Sequence, residues 1–185
     1  MSLLLTIDPG KRHCGCALWQ DGKLAYAKLV EANVGTDDLP SVAFRMANAV
    51  LEWANSKTNS FFMHIVGAQL VCEYPQTYKG RAGKGDANDL IDLAVVVGAI
   101  QGTLDVPTTL VRPSEWKGSV PKPELKRDYV RDGYIIETRA RAALTTDENT
   151  RVTWTPKNWR TNMDIADAIG VGLVHLKRRR VGLAK

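Results

Sequence analysis

The sequence predicts an α/β fold, a mixed five-stranded sheet flanked by helices, in one domain spanning residues 1–185. A chain of this length is most simply a single domain. Three strand-like segments follow one another at the N-terminus across short turns, which predicts antiparallel pairing. Later apolar strands alternate with helical patterns, and the crossovers between them make these strands parallel. The predicted strands are 3–8, 14–19, 24–30, 64–73 and 107–112.

Apolar residues recur at helical spacing over 37–56 and predict an amphipathic helix. Asp37 and Asp38 lie near its start, where acidic residues favour the helix dipole. The positions expected to face the core are Val42, Met46, Val50 and Trp53.

Two further helices complete the predicted fold. The segment 86–104 is apolar almost all round from Leu93 to Ile100, so we expect both of its sides to be buried. The final helix is predicted over 162–178, with Thr161 or Asn162 as its cap.

The composition is that of an ordinary globular protein. Apolar residues make up 44% of the chain, charged residues 24%, and the formal net charge is +5. The N-terminal MSLLLTI is too short for a signal-peptide core, and the apolar run LAVVVGAI is far shorter than a bilayer requires. We therefore expect a soluble, cytoplasmic protein without a membrane partner. The basic surplus favours a polyanion such as nucleic acid.

The three cysteines are expected to be reduced thiols. Cys14 and Cys16 lie two apart on one strand and share one face, while Cys72 lies on another strand. No second cysteine pair or histidine doublet accompanies them, so we expect small core residues and no zinc site.

Four carboxylates stand at the ends of apolar elements. Asp8 ends the first strand, Glu73 ends the strand AQLVCE, and Asp164 and Asp167 lie one turn apart near the start of the last helix. Each has a simpler explanation alone, as a turn former, a solvated strand end or a partner of the helix dipole. Carboxylates that converge without matching positive charge repel one another, and a divalent cation removes that cost. Mg²⁺ or Mn²⁺ suits oxygen ligands, and two such ions about 4 Å apart promote in-line phosphoryl transfer.

The segments TIDPGKRHCGCALW, LVCEYP and MDIADAIGVGLVHL resemble, in order and spacing, the RuvC-like Holliday junction resolvases of the RNase H-like superfamily. The matching elements run from near residue 3 to about residue 176. The resemblance implies an RNase H-like fold and a Mg²⁺- or Mn²⁺-dependent endonuclease that resolves four-way DNA junctions, with two ions in each active site. The metal ligands that it implies are Asp8, Glu73, Asp164 and Asp167.

The resemblance also implies a homodimer, which would place one active site on each of two strands of the junction. The family's dimer contact involves the helix after the glutamate strand, here 86–104. A helix fully buried in the core explains the apolarity of this segment about as well. The expected setting is the cytoplasm of a bacterium or of a phage-infected host cell, and the divergence of this chain suits a phage-encoded member.

The chain departs from the family in three places. The family often has an aromatic residue a few positions after the glutamate, but position 76 is Gln, and Tyr78 is the candidate substitute. Lys122 lies about where the family has a lysine that assists catalysis, with Lys117 as the alternative. Residues 145–160, which we expect to be irregular and polar, have no clear family counterpart. The family's cut-site preference is therefore not carried over.

Two basic segments are candidate DNA-binding surfaces. In the Gly-rich loop after Glu73, glycines let the backbone approach a phosphate while basic side chains neutralise its charge. A basic helix is predicted around 122–132, with much of its charge on one face. The candidate DNA-binding residues are Tyr78, Lys79, Arg81, Lys84, Lys117 and Lys126.

The sequence disfavours nucleotide-binding functions and leaves two alternatives to a junction resolvase. The Gly-rich loop fails the Walker A pattern, because Gly85 follows Lys84 and Tyr78 stands where its first glycine belongs, so no nucleotide cofactor is expected. An ATP-binding module of the sugar-kinase or actin type needs a longer chain for its two lobes. Two alternatives stay open: a nuclease of the same fold that acts on other branched DNA, flaps or RNA–DNA hybrids, and a non-catalytic junction-binding protein.

Overall fold

The computed structural model describes residues 2–32, 35, 38–58, 62, 66–75, 87–116, 146–149, 151–152 and 159–177. Within these ranges, five strands form one sheet in which the order is β3–β2–β1–β4–β5. The strands are β1 (Leu3–Asp8), β2 (His13–Gln20), β3 (Lys23–Glu31), β4 (Gln69–Glu73) and β5 (Thr108–Val111).

The sheet is mixed, as the sequence predicts. The first three strands pair antiparallel through two tight turns. On the other side of β1, the strands β4 and β5 run parallel to it, since each is reached by a crossover that contains a helix. The carboxyl ends of β1, β4 and β5 therefore meet at one edge of the sheet.

Strand β4 is shorter than the predicted strand 64–73, because it begins at Gln69. Val66 and Gly67 form a turn before it, and Gly67 has a φ of 83°. This left-handed conformation interrupts an extended backbone, and glycine adopts it without steric cost. Residues 63–65 lie outside the described ranges.

Five helical segments accompany the sheet in the described part of the chain. They are α1 (Leu39–Thr58), α2 (Ala87–Leu104), α3 (Pro113–Trp116), α4 (Thr146–Asn149) and α5 (Trp159–His175). The predicted basic helix around 122–132 falls outside the described residues.

The helix α1 is capped by Asp38, one of the two acidic residues expected near its start. The carboxylate of Asp38 accepts a hydrogen bond from the amide of Ser41 at 2.9 Å. Met46, Val50 and Trp53 are buried as predicted, whereas Val42 is only partly buried and Ala43 takes the core position beside it.

The last helix begins earlier than predicted. α5 starts at Trp159, so Thr161 and Asn162 lie inside it and do not cap it. No proline or glycine stands between residues 157 and 162 to stop the helix from extending in that direction. The segment 145–160 is also not wholly irregular, since it contains the helical turn α4 and the start of α5.

Alternation along the strands divides the core into two layers. Leu3, Leu5 and Ile7 of β1 pack with α1 and α2 on one face of the sheet. Leu4 and Thr6 lie on the opposite face, where Leu4 joins a cluster with α5 and Thr6 donates a hydrogen bond to that helix. Every second residue of β1 and β4 therefore points toward α5.

Only one side of α2 is buried within the chain. Val96, Val97 and Ile100 are buried in the core, whereas Ile91 is 60% exposed and Val95 is 37% exposed. The expectation that both sides are buried is therefore wrong for a single chain, and a helix lying wholly inside the core is excluded. No helix among the described residues has both the length and the apolar character needed to cross a membrane.

The turn α4 docks on the edge strand β3. Glu148 is only 1% exposed, and its carboxylate accepts a hydrogen bond from the amide of Leu24 at 3.0 Å. The guanidinium of Arg151 donates a hydrogen bond to the carbonyl of Leu24 at 2.8 Å, and it also forms an ion pair with Asp147. Two side chains thus satisfy backbone groups at the start of β3, which is an edge strand of the sheet that the described residues form.

Candidate metal centre

Two of the predicted carboxylates end neighbouring parallel strands. Ile7 of β1 pairs with Cys72 of β4, so the next residues, Asp8 and Glu73, stand side by side at the same edge of the sheet. Both continue the alternation of Thr6 and Val71, which face α5. The sheet register thus directs both carboxylates toward that helix.

The helix α5 brings the third carboxylate to this edge. The hydroxyl of Thr6 donates to the carbonyl of Ala168 at 2.8 Å and accepts a hydrogen bond from the indole of Trp19 at 3.0 Å. This buried network joins β1, β2 and α5 one residue beyond Asp167. Gly15, which pairs with Asp8 across the hairpin, lies against the backbone of Asp164.

Asp8, Glu73 and Asp167 form a compact acidic group. Each can offer one carboxylate oxygen such that the three oxygens all lie within 4.8 Å of one another. Glu73 is 9% exposed and Asp167 is 7% exposed, while Asp8 is partly buried. Carboxylates distant in sequence therefore meet in one largely buried place.

Asp164 is not part of this group of three, although it lies one turn earlier on α5. Its backbone reaches the same end of the sheet, because the carbonyl of Asp164 lies against Gly15, which pairs with Asp8. Its predicted role as a metal ligand stays a prediction.

The cysteines lie on the other face of the sheet and are free and buried, as expected for core residues. Burial raises the pKa of Cys14 to about 12. Burial likewise raises the pKa of Cys16 and that of Cys72 well above the usual value for a thiol. All three are therefore neutral thiols at physiological pH.

Trp116 is a residue near the site whose contact the sequence does not reveal. Its indole nitrogen donates a hydrogen bond to Oε2 of Glu73 at 2.7 Å, and the indole is only 3% exposed. The sequence offers a weak signal, since Trp116 follows β5 closely and the carboxyl end of a parallel strand lies near that of its neighbour. An indole buried to this extent has no exposed face on which a DNA base could stack.

Lys11, in the turn after Asp8, is engaged by the helix α2. Its ammonium group lies 2.8 Å from a carboxylate oxygen of Asp89 and 2.8 Å from one of Asp92. The hydrogen bond to Asp89 contributes most to raising the pKa of Lys11, and the hydrogen bond to Asp92 contributes the next largest share. The β1–β2 turn is thereby tied to the start of α2, and the positive charge of Lys11 is shared between two carboxylates of that helix.

The predicted DNA-binding residues and the predicted catalytic lysine fall outside the described residues. They are Tyr78, Lys79, Arg81, Lys84, Lys117, Lys122 and Lys126.

The mixed five-stranded sheet with helices on both faces is the RNase H-like fold. Two solved structures of Thermus thermophilus RuvC share it. RuvC in complex with a Holliday junction substrate has a TM-score of 0.59 and 16% identity, over 95% of this chain and 92% of that chain. A second RuvC structure has a TM-score of 0.54 and 15% identity, over 94% and 92% respectively. No protein-family model and no curated protein matches the sequence.

Proposed function

We propose that this protein is a divalent-metal-dependent endonuclease that resolves four-way DNA junctions as a homodimer. The observation that carries the proposal is the convergence of Asp8, Glu73 and Asp167 from two parallel strands and one helix. The similar RuvC structure in complex with a Holliday junction substrate supports branched DNA as the substrate.

The acidic group fits a hard divalent cation. Its potential ligands are all carboxylate oxygens, which Mg²⁺ and Mn²⁺ prefer. Ionised carboxylates at such distances repel one another by on the order of 3 kcal/mol per pair at an effective dielectric constant of about 20. We assign two ions to each site, with Asp164 as the fourth ligand. When bound, they supply Lewis-acid stabilisation of the charge that develops on the phosphate oxygens.

The chain's own residues define the approach to this site. Asp8 is more exposed than Glu73 and Asp167, so a phosphodiester would reach the group on the side of Asp8. We assign to Lys122 the role of a cation that assists the chemistry, as the family resemblance implies.

DNA contacts are assigned to the two basic segments. One segment follows Glu73 directly in the chain, and the other follows α3, whose last residue donates to Glu73. Each cation that neutralises a phosphate should steepen the log–log dependence of affinity on salt by about 0.9. The residues assigned are Tyr78, Lys79, Arg81, Lys84, Lys117 and Lys126.

The exposed side of α2 is the proposed dimer surface. Apolar and small residues recur there at helical spacing, namely Ile91, Ala94, Val95, Gly98 and Gly102. Ile91→Asp should convert a dimer to a monomer in sedimentation velocity measurements. Val66→Asp is the matched control, because Val66 is apolar and 93% exposed but lies in a turn far along the chain from α2. A dimer that persists in Ile91→Asp would contradict this surface.

Cleavage of a mobile four-way junction with mapped nicks tests the activity. Asp8→Asn should abolish cleavage in Mg²⁺ while junction binding is retained, and EDTA should abolish cleavage by the unaltered protein. Asp105→Asn is the control, because Asp105 is exposed at the opposite end of the sheet and its φ of 46° is one that asparagine tolerates. Normal cleavage by Asp8→Asn would overturn the proposal.

Competition between substrates separates the remaining alternatives. Preferred cleavage of the four-way junction over linear, flap and RNA–DNA hybrid substrates supports a resolvase. Preferred cleavage of a flap or a hybrid would retain the nuclease but replace the substrate. Binding without any cleavage in Mg²⁺ or Mn²⁺ would identify a non-catalytic junction-binding protein.

A further inference from the structure

A buried indole holds one carboxylate of the acidic group. Trp116 Nε1 donates to Glu73 Oε2 at 2.7 Å, and both side chains are at least nine-tenths buried. A hydrogen bond from a donor to an ionised carboxylate is about twice as strong as one between neutral groups. In such a buried setting it fixes the direction in which the carboxylate points.

Backbone hydrogen bonds fix the segment that leads from β5 to Trp116. Val111 pairs with Glu73 in the sheet, and its carbonyl accepts the amide of Tyr74 at 2.8 Å. In the turn that follows, Glu115 accepts the amide of Arg112 at 2.8 Å and donates its own amide to the carbonyl of Arg112 at 2.9 Å. The indole is thus presented from a short segment anchored directly beside the strand that carries Glu73.

The chemistry of indole suits this position. Its N–H group is a donor only and carries no charge, whereas lysine or arginine would bring a positive charge that opposes a bound cation. One hydrogen bond to Oε2 occupies one of about four lone-pair sites on the carboxylate, and the negative charge of Glu73 is kept.

We propose that Trp116 is a positioning residue, which holds Glu73 in the orientation that binds a divalent cation together with Asp8 and Asp167. The inference rests on the proposed function, since it requires a metal at the acidic group. Partners that orient metal ligands typically contribute 10- to 100-fold in metal affinity.

Direct binding of Mn²⁺ to the full chain, measured by electron paramagnetic resonance without DNA, tests the inference. Trp116→Phe keeps a buried aromatic ring but removes the donor, and we expect its Mn²⁺ affinity to fall about 10- to 100-fold. Trp53→Phe is the matched control, because Trp53 is buried in the layer on the opposite face of the sheet. Its affinity should equal that of the unaltered protein.

The outcomes separate the inference from the proposed function. Equal Mn²⁺ affinity in Trp116→Phe and the unaltered protein would overturn the role of Trp116 and leave the metal site intact. If the unaltered protein binds Mn²⁺ no more tightly than Asp8→Asn does, the proposed metal site is overturned, and the inference about Trp116 is overturned with it.

A second measurement observes the indole N–H group of Trp116 in the unaltered protein. The indole resonance of Trp116 in ¹H–¹⁵N spectra is assigned as the one that is missing in Trp116→Phe or, if that variant does not fold, in Trp116→Tyr. In spectra of the unaltered protein, this resonance should shift when Mg²⁺ is added. The Mg²⁺ concentration at the midpoint of this shift should equal that at the midpoint of metal binding. In the absence of metal, Glu73→Gln should also shift the resonance. An indole resonance that is insensitive to both changes would overturn the inference.

Discussion

Gly15 of β2 lies directly against the backbone carbonyl of Asp164 in α5. A Cβ atom at position 15 would overlap this carbonyl oxygen, and the obstacle is backbone that cannot rotate away. Because Gly15 also pairs with Asp8 across the hairpin, the close approach seats the start of α5 over the end of β1. The absence of one side chain thus sets the distance between Asp8 and the helix that carries Asp167.

Gly15→Ala should displace α5 and destabilise the protein. Overpacking of this kind costs about 1–3 kcal/mol, which corresponds to a fall in Tm of about 2–12 °C for a chain of this size. Mn²⁺ affinity should fall as well, because Asp167 moves with the helix. Gly35→Ala is the control, since nothing lies within 4 Å of a Cβ there. A Gly15→Ala variant with unchanged Tm and unchanged Mn²⁺ affinity would show that α5 is not seated on this glycine.

Local sequence pattern predicts the convergence of the two carboxylates that the sheet carries. Asp8 and Glu73 each end an apolar strand, and the crossover rule places the ends of parallel strands at one edge. Asp164 and Asp167 share a side of the last helix with Ala168 and Val171, and the burial of these two apolar residues shows that this side faces the sheet.

Contacts between elements distant in sequence could not be predicted in this way. The position of Trp116 just after β5 places it near the end of β4, but the pattern of residues 113–116 does not distinguish a contact with Glu73 from burial in the core. The docking of Glu148 on Leu24 joins residues 124 positions apart, so it depends on tertiary packing that propensity does not encode. The early start of α5 and the late start of β4 show that element boundaries depend on individual turns.

Glu148 should stabilise the edge strand β3 through its hydrogen bond with the amide of Leu24. Glu148→Ala leaves the buried amide of Leu24 without this acceptor, which costs about 1–3 kcal/mol. Glu148→Gln keeps an oxygen in the same place, so it should retain most of that stability. Urea unfolding measures both variants, and the amide of Leu24 should exchange with solvent faster in Glu148→Ala alone. Equal unfolding midpoints for Glu148→Ala and the unaltered protein would contradict the docking.

The cap of α1 predicts a dependence of stability on pH. The backbone hydrogen bond from Ser41 lowers the pKa of Asp38. A carboxylate whose pKa is lowered on folding stabilises the protein above its unfolded pKa of about 3.9, and that contribution is lost as pH falls through the folded value. Asp38→Ala should therefore lower Tm at pH 7, and the difference from the unaltered protein should shrink below about pH 3.9. A difference that is constant from pH 7 to pH 3 would contradict the cap.

Metal binding should stabilise the protein only while the acidic group is complete. At a Mg²⁺ concentration of about 100 times Kd, binding adds about 2.7 kcal/mol, or roughly 5–11 °C in Tm. Asp167→Asn removes the negative charge of one ligand but keeps the shape of the side chain. In EDTA, the Tm of this variant should be no lower than that of the unaltered protein, because repulsion within the acidic group is reduced. Its Tm should not respond to Mg²⁺, whereas that of Asp105→Asn should rise normally. Thermal melts of the three proteins in EDTA and in Mg²⁺ check this, and an Mg²⁺-dependent rise in Asp167→Asn equal to that of the unaltered protein would exclude Asp167 as a ligand.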